Sequence, residues 1–462
     1  MSGNRALERG RDAYARRAWA EAFESLSAAD ANEELDRDDL DLLATSAFML
    51  ARDDDFRRIL ERIHHASLEA GDIDRAVRCA FWIGMTLVLG GEMGPGSGWL
   101  GRGQRLLEQL GGETRAHGYM LMPLVFQHEA KGEFEAGAAV AVKAAAMAER
   151  FGDRDGMAMA RYAQGQLLAR AGRVREGVAL MDEAMVSVIA GELSPIATGV
   201  VYCGVILACQ EIYEVRRARE WTAALTRWVG EQPDLVAFTG RCLLHRAEIM
   251  QLGGDWASAL EEARSAADRF LATRNPTAGL AFYRQGELHR LRGDFGAAEE
   301  AYRRASQNGW EPQPGLAQLR LAQGRLDAAV AAIARVVAEA TEPLKRAGAL
   351  PACVEIMLAA GDVDEARAAC RELETIAAGY ESALLDALVA HARGSVELAQ
   401  GDAAGALVAL RHAVDRWQEL DAPYEHARSR VLVGLACRAL GDADAGELEL
   451  EAARAAFAEL GA

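Results

Sequence analysis

One short pattern of polar and apolar positions recurs along most of the chain. It consists of a glycine, a polar residue, an apolar residue, two variable residues and a small residue. A copy without the glycine, YEVRRA, begins at Tyr213. The other copies begin at Gly132, Gly172, Gly254, Gly293, Gly324, Gly361, Gly401 and Gly441. Successive copies are 40, 41, 41, 39, 31, 37, 40 and 40 residues apart. Such a period predicts an array of repeats, each packed on its neighbours.

Each position of the pattern suits a turn between two helices. The glycine can end one helix in the left-handed conformation, and a polar residue such as Asp362 or Asp294 can cap the next helix. A small residue such as Gly177 follows five positions after the glycine, and another, such as Gly165 or Gly434, lies seven positions before it. Glycine inside a helix costs about 1 kcal/mol relative to alanine. Its recurrence therefore predicts close packing within each helix pair.

Weaker copies extend the array towards the beginning of the chain. They are RAWAEA around Trp19, DDFRRI around Phe56 and GPGSGW near Gly94. β-Branched and aromatic residues never alternate with polar ones over a run, so no strand is predicted. The 31-residue interval contains Pro312 and Pro314, which predicts a shortened first helix and a bend there. The sequence thus predicts about twelve helical hairpins with a period near 40 residues.

The best-preserved copy resembles a tetratricopeptide repeat. Its residues in that pattern are Phe282, Gly286, His289, Gly293, Ala298, Tyr302 and Ala305, of which only His289 departs from the usual aromatic. The resemblance implies an all-α fold, a right-handed α-solenoid of tetratricopeptide-like hairpins whose period exceeds the usual 34 residues. We expect three regions: degenerate hairpins over 1–112, central repeats with a ligand groove over 113–308, and further repeats over 309–462 after the proline-containing bend.

The ends of the chain resemble a larger family. The segments RALERGRDAYARRAWAEAFESLSAADA and ELELEAARAAFAELGA are similar to the repeat region of LuxR-type (MalT-like) bacterial transcription regulators. That resemblance covers essentially the whole chain and implies a sensor or interaction module. The family's helix-turn-helix domain would begin where this sequence stops, at Ala462, and neither GxxxxGKS nor GxxxxGKT occurs. We expect an excised sensor region or a standalone relative, without DNA binding by these residues.

Charge and composition narrow the classes of partner. Lys and Arg number 51 against 69 Asp and Glu, a net charge of −18, which disfavours direct nucleic-acid binding. No apolar signal core and no segment of about 18 uncharged apolar residues occurs, so we expect a cytoplasmic chain that does not enter a membrane. The seven cysteines form no CxxC pair, which predicts reduced thiols rather than disulfides or a zinc site.

No motif predicts catalysis or a cofactor. Gly96, Gly98 and Gly101 spell GxGxxG, but no strand precedes them, so we expect an interhelix loop rather than a dinucleotide site. His64 and His65 are adjacent, which places them on different sides of a helix and disfavours a shared metal. HExxH and GxSxG are absent. The sequence therefore predicts no enzyme, no metal and no cofactor.

Candidate binding residues follow from the repeat. A solenoid presents a concave surface, and the tetratricopeptide resemblance places inward residues thirteen, ten, six, three and two positions before each turn. Counting back from the turns between Gly132 and Gly293 gives a mostly apolar lining with a few polar groups, as ligand sites have. The predicted groove residues are Tyr119, Met122, Phe126, Met159, Tyr162, Gln166, Cys203, Arg241, Glu248, Tyr283 and Glu287.

Two functions of different kinds fit this groove. In one, the chain is the sensor module of a transcription regulator and binds a small effector. In the other, it is a protein-interaction scaffold that binds a peptide or a partner helix. An unrecognised enzyme is a third possibility, and the sequence leaves the oligomeric state open.

Overall fold

A computed structural model describes residues 2–232 and 234–462. Within this part of the chain every regular element is a helix, which confirms the predicted all-α solenoid of hairpins. The twenty-four helices are α1 Ser2–Ala15, α2 Trp19–Asn32, α3 Arg37–Met49, α4 Asp53–Glu69, α5 Ile73–Leu89, α6 Met93–Glu108, α7 Arg115–Ala130, α8 Phe134–Arg150, α9 Arg154–Arg170, α10 Val174–Ile189, α11 Pro195–Glu211, α12 Val215–Gly230, α13 Thr239–Leu252, α14 Trp256–Ala272, α15 Ala278–Leu291, α16 Phe295–Gln307, α17 Gly315–Ala322, α18 Leu326–Glu339, α19 Pro343–Ala359, α20 Val363–Ala377, α21 Ala383–Ala399, α22 Ala403–Glu419, α23 Pro423–Ala439 and α24 Ala443–Leu460.

The predicted turn glycines separate the two helices of a pair. All eight have a positive φ, between 72° at Gly324 and 89° at Gly441, in the region that L side chains rarely adopt. Tyr213 takes the same conformation with φ of 64°, so the copy without a glycine keeps the backbone of the others. Arg17 and Ala51 do so in the first two hairpins. The turn geometry is therefore more regular than the sequence pattern.

One of the weaker turns was misplaced in the sequence interpretation. The helices α2 and α4 begin where the copies around Trp19 and Phe56 predict, but GPGSGW lies inside α6, and the turn before it is at Gly91. The interhelix loop expected at Gly96, Gly98 and Gly101 is therefore wrong. A Cβ on Gly96 would lie 2.7 Å from Val88 Cγ2 and 2.9 Å from the Gly84 carbonyl oxygen, so this glycine serves close helix packing.

Close packing within the pairs is confirmed where two glycines face each other. A Cβ on Gly165 of α9 would lie 2.5 Å from the carbonyl oxygen of Gly177 in α10, and a Cβ on Gly177 would overlap the Gly165 carbonyl. The pair Gly434 and Gly446 repeats this between α23 and α24, at 2.9 Å and 2.8 Å. A larger residue at these positions would force the paired helices apart.

The polar position of the pattern caps the next helix in several copies. The Asp362 carboxylate accepts a hydrogen bond from the backbone N–H of Glu365, and Asp255 does the same for Ser258. Asp294 makes no side-chain cap bond, so the expected cap is wrong there. Its carboxylate instead lies 3.6 Å from the His289 ring, at the repeat position where the family pattern is aromatic.

The prolines shorten one helix as expected. The helix α17 has 8 residues, about half the length of its neighbour α19 with 17. Proline lacks the backbone N–H and disfavours a helical conformation in the residue before it. Pro312 and Pro314 precede α17, so the helix begins only at Gly315.

The chain forms two compact units. Unit 1 comprises Met1–Leu207 and Trp221–Cys242, and unit 2 comprises Ala208–Glu220 and Leu243–Ala462. The division into 1–112, 113–308 and 309–462 stays a prediction.

In unit 1, early and late segments touch each other. The Trp19 indole N–H donates to Gln232 Oε1 over 3.1 Å, and the backbone N–H groups of Val236 and Ala237 both donate to the Met49 carbonyl over 3.0 Å. The Phe48 ring packs 5.8 Å from the Phe238 ring. Unit 1 therefore closes on itself.

Unit 2 closes in the same manner. The Ser382 hydroxyl donates to the Tyr213 carbonyl over 2.9 Å, and Arg219 donates to the Leu420 carbonyl over 2.7 Å. A Cβ on Gly254 would lie 2.6 Å from Leu460 Cδ2 in the last helix. Because its first and last hairpins meet, the first helices of the pairs in unit 2 face a common interior.

No helix in the described residues is both long enough and apolar enough to cross a membrane. The seven cysteines are free thiols. Nowhere in the part of the chain that the structure describes do three or more His, Cys, Asp or Glu side chains form a group that could hold a metal ion.

Candidate functional site

The predicted groove residues fall into both units. Glu248, Tyr283 and Glu287 belong to unit 2. The others belong to unit 1, namely Tyr119, Met122, Phe126, Met159, Tyr162, Gln166, Cys203 and Arg241. Whether these residues bind a ligand stays a prediction, and the surroundings of each set are described separately.

The aromatic positions in unit 1 are packed against neighbouring helices. The Tyr119 ring meets the Phe81 ring edge-on at 5.2 Å, and burial raises the pKa of its hydroxyl. Tyr162 covers Gly204, where a Cβ would lie 2.7 Å from the ring. Met122 and Met159 are 5% exposed. These four side chains therefore contribute mainly to packing between hairpins.

A polar group accompanies them on α7 and α9. Gln166 Nε2 donates to Glu129 Oε1 over 3.1 Å, and the Arg170 guanidinium donates to the same oxygen over 2.7 Å. The Arg170 guanidinium also lies over the Phe134 ring, 4.5 Å from its centre. Phe126 is half-buried on the same helix as Glu129. The inward positions counted back from the turns at Gly132 and Gly172 therefore bring residues of adjacent repeats into contact on α7 and α9.

Cys203 and Arg241 complete the predicted set of unit 1. Burial raises the pKa of the Cys203 thiol to about 12, and Arg241 lowers it only in part. A thiol with so high a pKa holds almost no thiolate at neutral pH and is therefore a poor nucleophile.

In unit 2 the predicted positions carry a chain of charged contacts. Glu248 accepts hydrogen bonds from Gln210 and from Arg284, the latter over 2.9 Å, and Gln210 Oε1 lies 3.0 Å from the His245 ring nitrogen. Arg284 belongs to α15 and Glu248 to α13, so the pair joins the first helices of successive hairpins. Two of the three predicted positions in unit 2 are therefore charged, whereas those on α7 and α9 are mainly apolar with Gln166 as the polar exception.

Glu287 is the most enclosed of these carboxylates. It is 8% exposed and accepts hydrogen bonds from the Tyr302 hydroxyl and from Arg290, the latter over 2.9 Å. Burial alone would raise the pKa of Glu287, but Arg290 and Tyr302 outweigh it, so the pKa is lowered and the carboxylate stays ionised. Gly315 packs against this carboxylate and leaves no room for a Cβ. The ring of Tyr283 lies 5.9 Å from that of Tyr302.

A second set of charges lies on later hairpins. Gln318 Nε2 donates to Glu355 Oε2 over 3.0 Å, and Arg428 contacts Glu355 Oε1 at 3.1 Å. Arg428 also donates to Glu425 over 3.0 Å. Burial alone would raise the pKa of Glu355, but Arg428, Gln318 and Arg290 together lower it. Side chains from α15, α17, α19 and α23 therefore converge on one region of unit 2.

His391 of α21 reaches the same region. Its Nδ1 lies 2.8 Å from the Ser429 hydroxyl oxygen. Burial, and after it the positive charge of Arg428, lowers the pKa of His391 to about 3. The imidazole is therefore neutral at physiological pH.

These groups surround a cavity of about 440 Å³ in unit 2. Fifteen residues line it, and apolar side chains such as Val354, Leu432 and Phe457 form one part of its wall. Nine of the fifteen are at inward positions, that is, thirteen, ten, six, three or two residues before the turns at Gly324, Gly361, Gly401 and Gly441. They are Gln318, Pro351, Glu355, Leu358, Leu388, His391, Ser395, Arg428 and Val431. The sequence interpretation missed this cavity because it placed the site before Gly293, although the same count would have found it.

No protein-family model matches the chain, and no curated protein matches it.

Among solved structures, one similar chain comes from the APC/C hetero-tetramer Cut9–Hcn1. It is 12% identical over 99% of this chain and 87% of the other, with a TM-score of 0.46. A Rap protein in complex with competence and sporulation factor is 11% identical over 99% of this chain and 98% of the other, with a TM-score of 0.39. Yeast Tom70 is 10% identical over 97% and 96%, with a TM-score of 0.37.

Proposed function

We propose that the chain is a protein-interaction module whose unit 2 binds a peptide segment or a partner helix at the cavity between α17, α19, α21 and α23. The observation that carries this proposal is that inward positions of four successive hairpins line one cavity. Helical-repeat proteins use their inner surfaces for such partners.

The chemistry of the wall supports a peptide as occupant. Apolar side chains cover one part of the cavity, and Gln318, Glu355, His391 and Arg428 offer hydrogen-bonding groups on another. A peptide carries both apolar side chains and backbone amides, so it can satisfy the two parts together. His391 is neutral and adds a hydrogen-bonding group without a charge to this wall.

A small effector is the second candidate, favoured by the size of the cavity. A volume of about 440 Å³ falls within the roughly 300–1,000 Å³ of small-molecule sites. In that case the chain would be the sensor region of a LuxR-type regulator. Thermal unfolding in the presence of a metabolite library tests this function, because a ligand that binds only the folded state raises the unfolding temperature. If no metabolite does so while peptides bind, the effector hypothesis is rejected.

Filling the cavity tests the main proposal. Ser395 lines the cavity and is half-buried, so Ser395→Trp should occupy the space and abolish binding of peptides selected from a random display library. Val408 of α22 is 74% exposed and lies outside the cavity, which makes Val408→Trp the matched control. Both variants should keep the helical circular dichroism of the wild type. Selected peptides that bind Ser395→Trp and wild type equally would contradict the proposed site.

A further inference from the structure

The charges around the cavity of unit 2 do not balance. Glu355 and Glu425 share one cation, Arg428, at 3.1 Å and 3.0 Å. The neighbouring pair, Glu287 with Arg290, is balanced within itself. Three carboxylates thus face two guanidinium groups, and the neutral His391 adds no positive charge. The region carries one negative charge in excess.

The two carboxylates that share Arg428 are more exposed than Glu287. The side chains of Glu355 and Glu425 are 39% and 27% exposed, and Arg428 is 26% exposed. Glu287 is enclosed by Tyr302 and Gly315, and its side chain is only 11% exposed. A ligand entering the cavity therefore meets the two carboxylates that share Arg428 rather than the balanced pair behind them.

An apolar wall lies beside these carboxylates. Val354 and Leu358 are on α19 with Glu355, and Leu432 is on α23 with Glu425. Lysine and arginine side chains combine an aliphatic stem with a charged end, and they place the stem along apolar surface while the end stays among polar groups. The cavity offers both environments next to each other.

We propose that this cavity takes a lysine or arginine side chain, whose positively charged end lies against Glu355 and Glu425 and whose stem packs on Val354, Leu358 and Leu432. This inference rests on the proposed function, since it specifies which side chain of the bound peptide enters the cavity. An acidic side chain is excluded because like charges within a few ångströms repel in a poorly solvated site.

Peptides that differ at one residue test the proposal. The probes are acetylated heptapeptide pools with randomised flanks and a fixed central lysine, arginine, norleucine or glutamate. Binding to the full chain is measured by fluorescence anisotropy. We expect the lysine and arginine pools to bind about tenfold more tightly than the norleucine pool, as one hydrogen bond to a charged group provides. The glutamate pool should bind more weakly still.

Glu425→Gln removes the excess charge while Arg428 keeps Glu355 as its partner. This variant should bind the lysine and norleucine pools with equal affinity. The matched control is Glu449→Gln, because Glu449 of α24 is similarly exposed, pairs with Arg430 of α23 over 2.6 Å and does not line the cavity. It should keep the tenfold preference.

The two proposals fail in different ways. Equal binding of all four pools by the wild type, abolished by Ser395→Trp, overturns the charge inference and leaves the peptide site in place. A lysine preference that persists in Glu425→Gln also overturns the inference, because the charge responsible would then lie elsewhere. Absence of binding to every pool overturns both proposals.

Discussion

The two units build their inner faces from the same repeat positions and give them different chemistry. Six positions before the turn, unit 1 carries Arg11, Thr45, Met85, Phe126, Gln166 and Leu207. At the same position, unit 2 carries Glu248, Glu287, Gln318, Glu355, Ser395 and Leu435. Three of the residues in unit 2 are carboxylates, and none of those in unit 1 is. The positive-φ turn and the close helix contacts are common to both units, so the residue at this position is not dictated by the repeat.

The comparison distinguishes positions that close helix packing requires from positions that it leaves free. Glycine pairs such as Gly165 with Gly177 in unit 1 and Gly434 with Gly446 in unit 2 meet the same steric demand for close helices. The carboxylates in unit 2 meet no such demand, because burying a charged pair seldom stabilises a fold more than an apolar pair of the same volume does. Their presence in unit 2 is therefore not explained by the steric demands of the repeat, and of the three only Glu355 lines the cavity.

The largest expected effect breaks the buried charges of unit 2. Glu287→Ala should lower the free energy of unfolding by about 3 kcal/mol, because Arg290 stays enclosed without its carboxylate and the Tyr302 hydroxyl loses its acceptor. Phe126→Ala, at the same repeat position in unit 1, should cost about 1–2 kcal/mol, since its ring is only half-buried. Urea unfolding of both variants measures the difference.

A double variant tests whether the Glu287–Arg290 pair stabilises unit 2 or whether only the loss of one partner is costly. Glu287→Met combined with Arg290→Met removes both charges and should recover most of the stability that Glu287→Ala loses, since two apolar side chains replace a balanced pair. If the double variant is as unstable as Glu287→Ala, the charged pair itself stabilises unit 2 more than apolar side chains of similar size do.

An intermediate effect concerns the pH dependence of unit 2. His391 has a pKa of about 3 in the fold and about 6.5 in the unfolded chain. Between these values the unfolded chain binds a proton at His391 and the folded chain does not. The free energy of unfolding should therefore fall as the pH drops below 6.5, by up to about 1.4 kcal/mol per pH unit from this group.

His391→Gln should remove that contribution and flatten the pH dependence below 6.5 relative to wild type. The NMR titration of the His391 ring gives a direct check. If the ring titrates near 6.5, water hydrates it freely, and the cavity is more open than its contacts indicate.

The periodic features of the fold could be predicted from the sequence, and the contacts that close each unit could not. The glycine spacing predicts the turns, and it even places the turn at Tyr213, where no glycine stands. Local patterns fail at GPGSGW, which lies inside α6, where Gly96 packs against Val88 of α5. The hydrogen bond from Trp19 to Gln232 joins residues 213 positions apart, and no local pattern encodes such a contact.

Contacts between distant residues also explain why the candidate site was predicted only in part. Glu287 was predicted because it lies six positions before the turn at Gly293. Arg428 was missed because the count was not continued to the turns after Gly293. The meeting of Arg428 with Glu355 requires the separation and tilt of α19 and α23. The sequence can thus name the inward positions of each repeat, but which of them meet depends on how the unit closes.

The smallest expected effect should be equal in the two units. Asp153 of unit 1 accepts a hydrogen bond from the Gly156 N–H over 3.1 Å, and Asp402 of unit 2 accepts one from the Gly405 N–H over 2.9 Å. Asp153→Ala and Asp402→Ala should each cost about 1 kcal/mol, as loss of a helix cap does, with hydrogen exchange in α9 and α22 as the measurement. Asp294→Ala should cost less, because Asp294 makes no cap bond. Asp153 lies between two hairpins and Asp402 within one, so unequal costs would mean that the contribution of a cap depends on its place in the repeat.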